Sequence, residues 1–87
     1  MNTEEMKKIM KEIEELLIKK NEMYGDNNII KIGEEGIVVR ITEKIERLRH
    51  LLSNKKNPSE EPIEDSWKDI VGYGIIGLML RREKWQQ

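Results

Sequence analysis

The sequence predicts an all-α protein, an antiparallel bundle of about three helices completed by association with further copies of the chain. Three observations lead there. Apolar residues recur at intervals of three and four along most of the length, as in helices with one covered face. Gly, Pro, Asn and Asp gather in two stretches that divide the chain in three. The apolar share, 37% with no Phe, is lean beside 38% charged residues. A domain of 87 residues buries a small fraction of its surface, so a core this thin predicts a homodimer or homotetramer.

The first helix is expected over residues 3 to 22, where Met6, Ile9, Met10, Ile13, Leu16 and Leu17 share one side. Thr3 suits its start, because a hydroxyl can accept from the free N–H groups of a first turn. Pairs such as Glu4–Lys8 and Glu15–Lys19 occupy the wet side and add little each. Met23 to Gly33 breaks the pattern with Tyr24-Gly25-Asp26-Asn27-Asn28, residues that favour turns. That predicts a loop, long for a connection between packed helices.

The second helix is expected over 34 to 53. Ile37, Val38, Ile41, Ile45, Leu48, Leu51 and Leu52 fall in one arc, with Arg40, Lys44 and Arg47 in the neighbouring arc and Glu43 at its far edge. Their stems can be covered while their charges reach a shared crevice. Asn54 to Glu60, with Pro58, reads as a turn, and Pro62 suits the first turn of the next helix.

The third helix is expected over 60 to 84, with Ile63, Trp67, Ile70, Val71, Gly74 and Leu78 on its core side. Glu61, Asp65 and Asp69, four apart, drift by about 40° per step and make one stripe on the opposite side. Further along, that face carries Gly72, Ile76, Met79 and Leu80. A helix apolar all round is buried all round, so this second face is expected to meet another subunit, with the acidic stripe at its lip. Gly72, Gly74 and Gly77 each cost about 1 kcal/mol against Ala within a helix, which close helix crossing would offset. No repeat, low-complexity tract or second domain interrupts residues 1–87.

Composition excludes several classes. A formal charge of −1 and a pI near 5.9 give no broad positive field for a nucleic-acid backbone. No Cys is present, which removes disulfides and Cys-based zinc sites and fits a cytoplasmic setting. The first twenty residues lack the apolar centre of a signal peptide, and the apolar run from Ile70 to Leu80 is too short to span a membrane. His50 has no His or Cys companion for a metal, and no Ser–His–acid or Cys–His set can be assembled. Gly33-x-x-Gly36 is too weak a signal for a phosphate loop.

Two motifs carry chemistry. Glu61-x-x-x-Asp65-x-x-x-Asp69 can hold magnesium beside a phosphate, since magnesium takes oxygen ligands from adjacent helix turns. It can equally be an acidic helix start that complements the helix dipole, a reading that Asp69, two turns in, fits least. Arg40-x-x-Glu43-Lys44-x-x-Arg47 can clamp phosphate, or form surface pairs with Glu43, or tie Lys44 and Arg47 to Asp65 and Asp69 as struts between helices. Tyr24 can stack on a base or pack as a staple. Trp67 and Trp85 read as packing residues.

From about Lys20 to Leu80 the chain resembles the nucleotide modification associated domain 1 family, small MazG-like proteins of phages and bacteria. The resemblance rests on Lys20-x-x-x-Tyr24-Gly25, Gly33-x-x-Gly36-x-x-x-Arg40, Glu43-Lys44-x-x-Arg47-Leu48 and Glu61-x-x-x-Asp65-x-x-x-Asp69-x-x-x-Tyr73. It implies an all-α oligomer that cleaves nucleoside triphosphates to monophosphate and pyrophosphate with magnesium. On matching positions it implies Asp65 and Asp69 as metal ligands with Glu61 and Glu43 in support, and Glu43, Asp65 and Asp69 as the catalytic carboxylates. It implies Arg40, Lys44 and Arg47 on phosphates and Tyr24 at the base. Two of the three positions of the usual first acidic motif are here Lys44 and Arg47, and the later Glu-x-x-Asp reads Ser66-x-x-Asp69. Cations there favour binding an anion over gathering magnesium. The expected functions are therefore a nucleotide-binding pyrophosphohydrolase, a non-catalytic protein that sequesters a nucleotide or cyclic nucleotide signal, or a structural interaction module.

Overall fold

Asn2 opens the first helix: its side-chain oxygen accepts from the Glu5 N–H at 3.0 Å, the capping bond expected of Thr3 moved one residue back. In the computed structural model, which describes residues 1–86, helix α1 runs Thr3–Tyr24, α2 Asn27–Ser53 and α3 Ile63–Arg81. No strand occurs among the described residues. The protein is all-α, with three helices among the described residues. No helix among them is long and apolar enough to cross a membrane.

The loop expected over 23 to 33 is mostly helix. Only Gly25 and Asp26 lie outside, and Asn27 to Ile32 forms the opening turns of α2. Gly33, at φ 62° and ψ −171°, then breaks the helix and redirects it, in a backbone region that Gly alone occupies readily. Asn and Asp permit turns without compelling them. Here Ile29 and Ile32 give the segment an apolar side, and both join the core. Gly36 completes the kink, because a Cβ there would overlap the side chain of Ile32.

The core is small, as the composition implies. Ile13, Ile29, Ile37, Leu48, Leu51 and Ile76 are the buried hydrophobics. Helices α2 and α3 pack along much of their length, while α1 meets α3 more sparsely. Ile29, Ile37 and Ile76 form the central cluster, ringed by Leu17, Ile32, Ile41, Tyr73, Leu80 and Trp85. The Trp85 indole N–H donates to the Asp26 carbonyl at 3.2 Å, fastening the C-terminal segment over the α1–α2 junction.

The orientation of α3 reverses the expectation. Its buried residues are Ser66, Gly72 and Ile76, the last two from the side expected to meet another subunit. Trp67, Val71, Gly74 and Leu78, expected in the core, are exposed. Trp67 is 53% exposed and does not pack as expected. The reason is that α3 is apolar on both sides, so periodicity alone does not say which side turns inward. Polar bonding across to α1 and α2 decides it.

Candidate functional site

Helix α2 packs against α3, with Leu48 and Leu51 buried on α2. From α2, Lys44 and Arg47 reach across to α3. The Arg47 guanidinium donates from Nη1 to the Ser66 hydroxyl at 2.7 Å and from Nη2 to the backbone carbonyl of Glu61. Ser66 is 2% exposed, so this bond satisfies an otherwise isolated buried hydroxyl. One turn away, Lys44 Nζ lies 3.0 Å from Asp69 Oδ2, and Lys20 Nζ of α1 lies 3.3 Å from Asp69 Oδ1. Asp69 therefore ties all three helices together.

The turn before α3 is held in place to serve this arrangement. Asn57 accepts from the Ile63 N–H at 3.0 Å, and the Pro62 carbonyl accepts from the Asp65 N–H at 2.9 Å. Glu61 sits at φ 50°, a left-handed conformation that costs a non-Gly residue about 1 kcal/mol or more. That conformation accompanies the presentation of its carbonyl to Arg47.

These residues surround a half-open groove of about 380 Å³ lined by Leu16, Lys20, Lys44, Arg47, Glu61, Asp65, Ser66, Lys68 and Asp69. Its size falls in the range of small-ligand sites. Four cations and three carboxylates line it. Lys68 is only loosely engaged, 3.7 Å from Glu12 and 3.8 Å from Glu64. An ammonium carries three N–H donors and a guanidinium five. Lys44 and Lys20 each spend one on Asp69, and Arg47 spends two, so donors remain for an anion.

The structure thus brings Lys44, Arg47, Glu61, Asp65 and Asp69 to one groove. It does not bring Arg40 and Glu43 there. They face each other at 3.8 Å on the exposed flank of α2. The pairing of Lys44 with Asp69 and Arg47 with Ser66 sets an antiparallel register that leaves Arg40 level with Tyr73, where α3 offers no carboxylate. Tyr24 is also separate. It is exposed at the end of α1 and lines a smaller hollow of about 50 Å³ with Asn21, Asn28, Ile29 and Trp85. Lys20 lines both hollows.

Among the described residues no three Asp, Glu, His or Cys side chains gather as a metal cluster. Both Asp69 oxygens face ammonium groups, and the Glu61 side chain sits on the exposed lip. The carboxylates of one chain, as placed, do not fit a three-ligand magnesium nest, and no step is derived through one.

Sequence reasoning missed Lys20, Ser66 and Lys68 as lining residues. Lys20 comes from a different helix, and no spacing along one helix can signal a residue on another. Ser66 left a trace as the departure from Glu-x-x-Asp. Its meaning appears only once Arg47 is seen to fill the space opposite.

Fold and site together define a small helical protein with a groove lined by four cations and three carboxylates, one of which, Asp69, joins the three helices. The chain belongs to the nucleotide modification associated domain 1 family, whose model matches residues 20–80. That span includes every lining residue of the groove except Leu16. No curated protein and no solved structure matches the chain.

Proposed function

We propose that this protein is a MazG-like nucleotide-binding protein that grips the phosphates of its ligand in the groove and holds the ligand without cleaving it. The observation that carries this reading is the mutual pairing of Lys44 with Asp69 and Arg47 with Ser66. Where the MazG-like pattern would set carboxylates, this chain has Lys44 and Arg47, and across the groove it has Ser66. The three departures are each engaged across the α2–α3 contact, Lys44 with Asp69 and Arg47 with Ser66. A carboxylate cluster has become an anchored cationic one, suited to phosphate oxygens. Arg47 is already fixed at two points, so little side-chain freedom is lost when an anion arrives.

Nucleotides, including cyclic ones, are the favoured ligand class because the family description concerns nucleotide modification and the groove offers charge-assisted donors. The test is calorimetric titration with mono-, tri- and cyclic nucleotides in EDTA, followed by heating and assay of the released small molecule. The expected result is binding without magnesium and recovery of intact ligand. Release of monophosphate and pyrophosphate on adding magnesium would establish the hydrolase instead. If no nucleotide binds, only the interaction-module reading survives.

Two substitutions refine the test. Arg47→Ala should weaken binding by tenfold or more, since a hydrogen bond to a charged group is worth about 1.5–3 kcal/mol. Asp69→Asn should tighten it about fivefold, because a neighbouring negative charge costs an anion on the order of 1 kcal/mol even in a watery setting. In a hydrolase the same change would abolish turnover. Affinity and turnover of Asp69→Asn, measured together, separate the two mechanisms.

A further inference from the structure

We infer that two copies of this chain pair through the outer face of α3, antiparallel, with Trp67 of each copy filling the space over Gly74 of the other. The chain is too open to be complete by itself. A compact monomer of 10.4 kDa would expose about 5,400 Å², whereas this one exposes 7114 Å². The excess, about 1,700 Å², is more than the roughly 800 Å² that each partner contributes to a standard interface. The radius of gyration agrees: 14.1 Å against about 12 Å for a compact chain of this length.

The location follows from α3 itself. Ile63, Trp67, Ile70, Val71, Gly74 and Leu78 follow steps of three and four along one side, the seam of paired helices. Ile63 and Ile70 are half-buried, and the other four are exposed. Gly74 has no use within the chain. A Cβ added there would meet nothing within 4 Å, whereas at Gly72 it would lie 3.2 Å from Leu17 Cδ2. Helical glycine is costly relative to Ala, so Gly74 fits close approach from outside.

The seam is self-complementary about a point between Ile70 and Val71. An antiparallel copy sets Ile70 against Val71, Trp67 against Gly74, and Ile63 against Leu78. The largest side chain meets the smallest, and the ends match in kind. Charge agrees with this direction. The first turn of α3 carries Glu64 outside the groove, its last turn carries Arg81, which also meets Glu34 at 2.7 Å, and Arg82 follows. Antiparallel pairing lays an acidic start beside a basic end, and parallel pairing lays like against like. The groove lies on the other side of α3, so each copy keeps its own.

The experiment is sedimentation equilibrium of the full chain at micromolar concentration, with circular dichroism alongside. Twice 10.4 kDa is expected for the wild type. Trp67→Glu and Leu78→Glu should each give a folded monomer, while Val39→Glu, exposed on α2, should stay dimeric. A monomeric wild type, its seam then free for some other partner, overturns the proposal. So does an oligomer that survives both seam variants. Direction is read by cysteine scanning, since the chain has no Cys. Antiparallel pairing brings the two copies of residue 71 together and sets the two copies of residue 78 about 22 Å apart along the axis. Under mild oxidant Val71→Cys should therefore cross-link and Leu78→Cys should not. Efficient cross-linking at residue 78 would overturn the antiparallel arrangement. Retention of nucleotide binding by Trp67→Glu would keep the test separate from the groove.

Discussion

The two faces of α3 differ in a way that runs against simple hydrophobic sorting. The inner face begins with Ser66 and Asp69 and is covered, while the outer face carries Trp67, Val71 and Leu78 and is open. Polar groups are enclosed because each has a partner on another helix. Apolar groups are left outside because no further helix among the described residues lies on them. Burial here follows the supply of partners, and the inner face has the polar partners that fix its direction. The largest test of that contrast is a pair of alanine substitutions one half-turn apart, made in the monomeric Trp67→Glu background. Ile76→Ala, on the covered side, should cost about 2–5 kcal/mol in a urea melt. Leu78→Ala should cost about 0.5 kcal/mol or less. Equal costs would mean the faces have been assigned wrongly.

A smaller effect is expected where the inner face is polar. Ser66→Ala removes the acceptor of a fixed guanidinium and should cost about 1–3 kcal/mol. The same variant should bind nucleotide more weakly, because Arg47 would lose one of its two anchors. Loss of stability with unchanged affinity would make Arg47 a strut between helices and nothing more.

Glycine offers a subtler comparison between the faces. Replacing Gly74 with Ala in the same monomeric background should raise stability by up to about 1 kcal/mol, the helix-propensity difference. Replacing Gly72 should give no such gain, since its new methyl would press on Leu17 at 3.2 Å and Leu17 would have to yield. Paired thermal melts would show the divergence directly.

The three helices were legible in the sequence, with bounds within three residues except at the start of α2. Their covered sides are narrower than periodicity implies, since Met6, Ile9, Met10, Val38, Ile45 and Leu52 are exposed. Two features were not legible. Asn27 to Ile32 reads as loop by composition, yet Ile29 and Ile32 supply an apolar side that the rest of the fold covers. The direction of α3 was hidden because both its faces are apolar. The polar residues that settle it, Lys20, Lys44 and Arg47, stand on other helices, more than fifteen positions away in sequence. The groove was half legible for the same reason. Lys44, Arg47, Asp65 and Asp69 carried visible spacing, whereas Lys20 and the passivity of Arg40 depend on register. Coil periodicity reports which residues share a helix side. It says nothing of what stands opposite.

The smallest expected effect lies at Glu61, in the turn that leads into α3. Its backbone is left-handed at φ 50°, its carbonyl serves Arg47, and its side chain lines the mouth of the groove. Glu61→Gly keeps the carbonyl, relieves the backbone and removes the side chain with its carboxylate. If the residue matters through its main chain, the variant should be more stable by up to about 1 kcal/mol, offset by the greater freedom of Gly in the unfolded chain. It should also bind nucleotide at least as well, since a negative charge has left the groove. If the carboxylate instead held magnesium beside a phosphate, the variant would lose any magnesium dependence of binding or turnover. Calorimetry with and without magnesium reads both possibilities in one experiment. The left-handed backbone favours the first, because a residue selected for its side chain alone has no need of a conformation that Gly would adopt more cheaply.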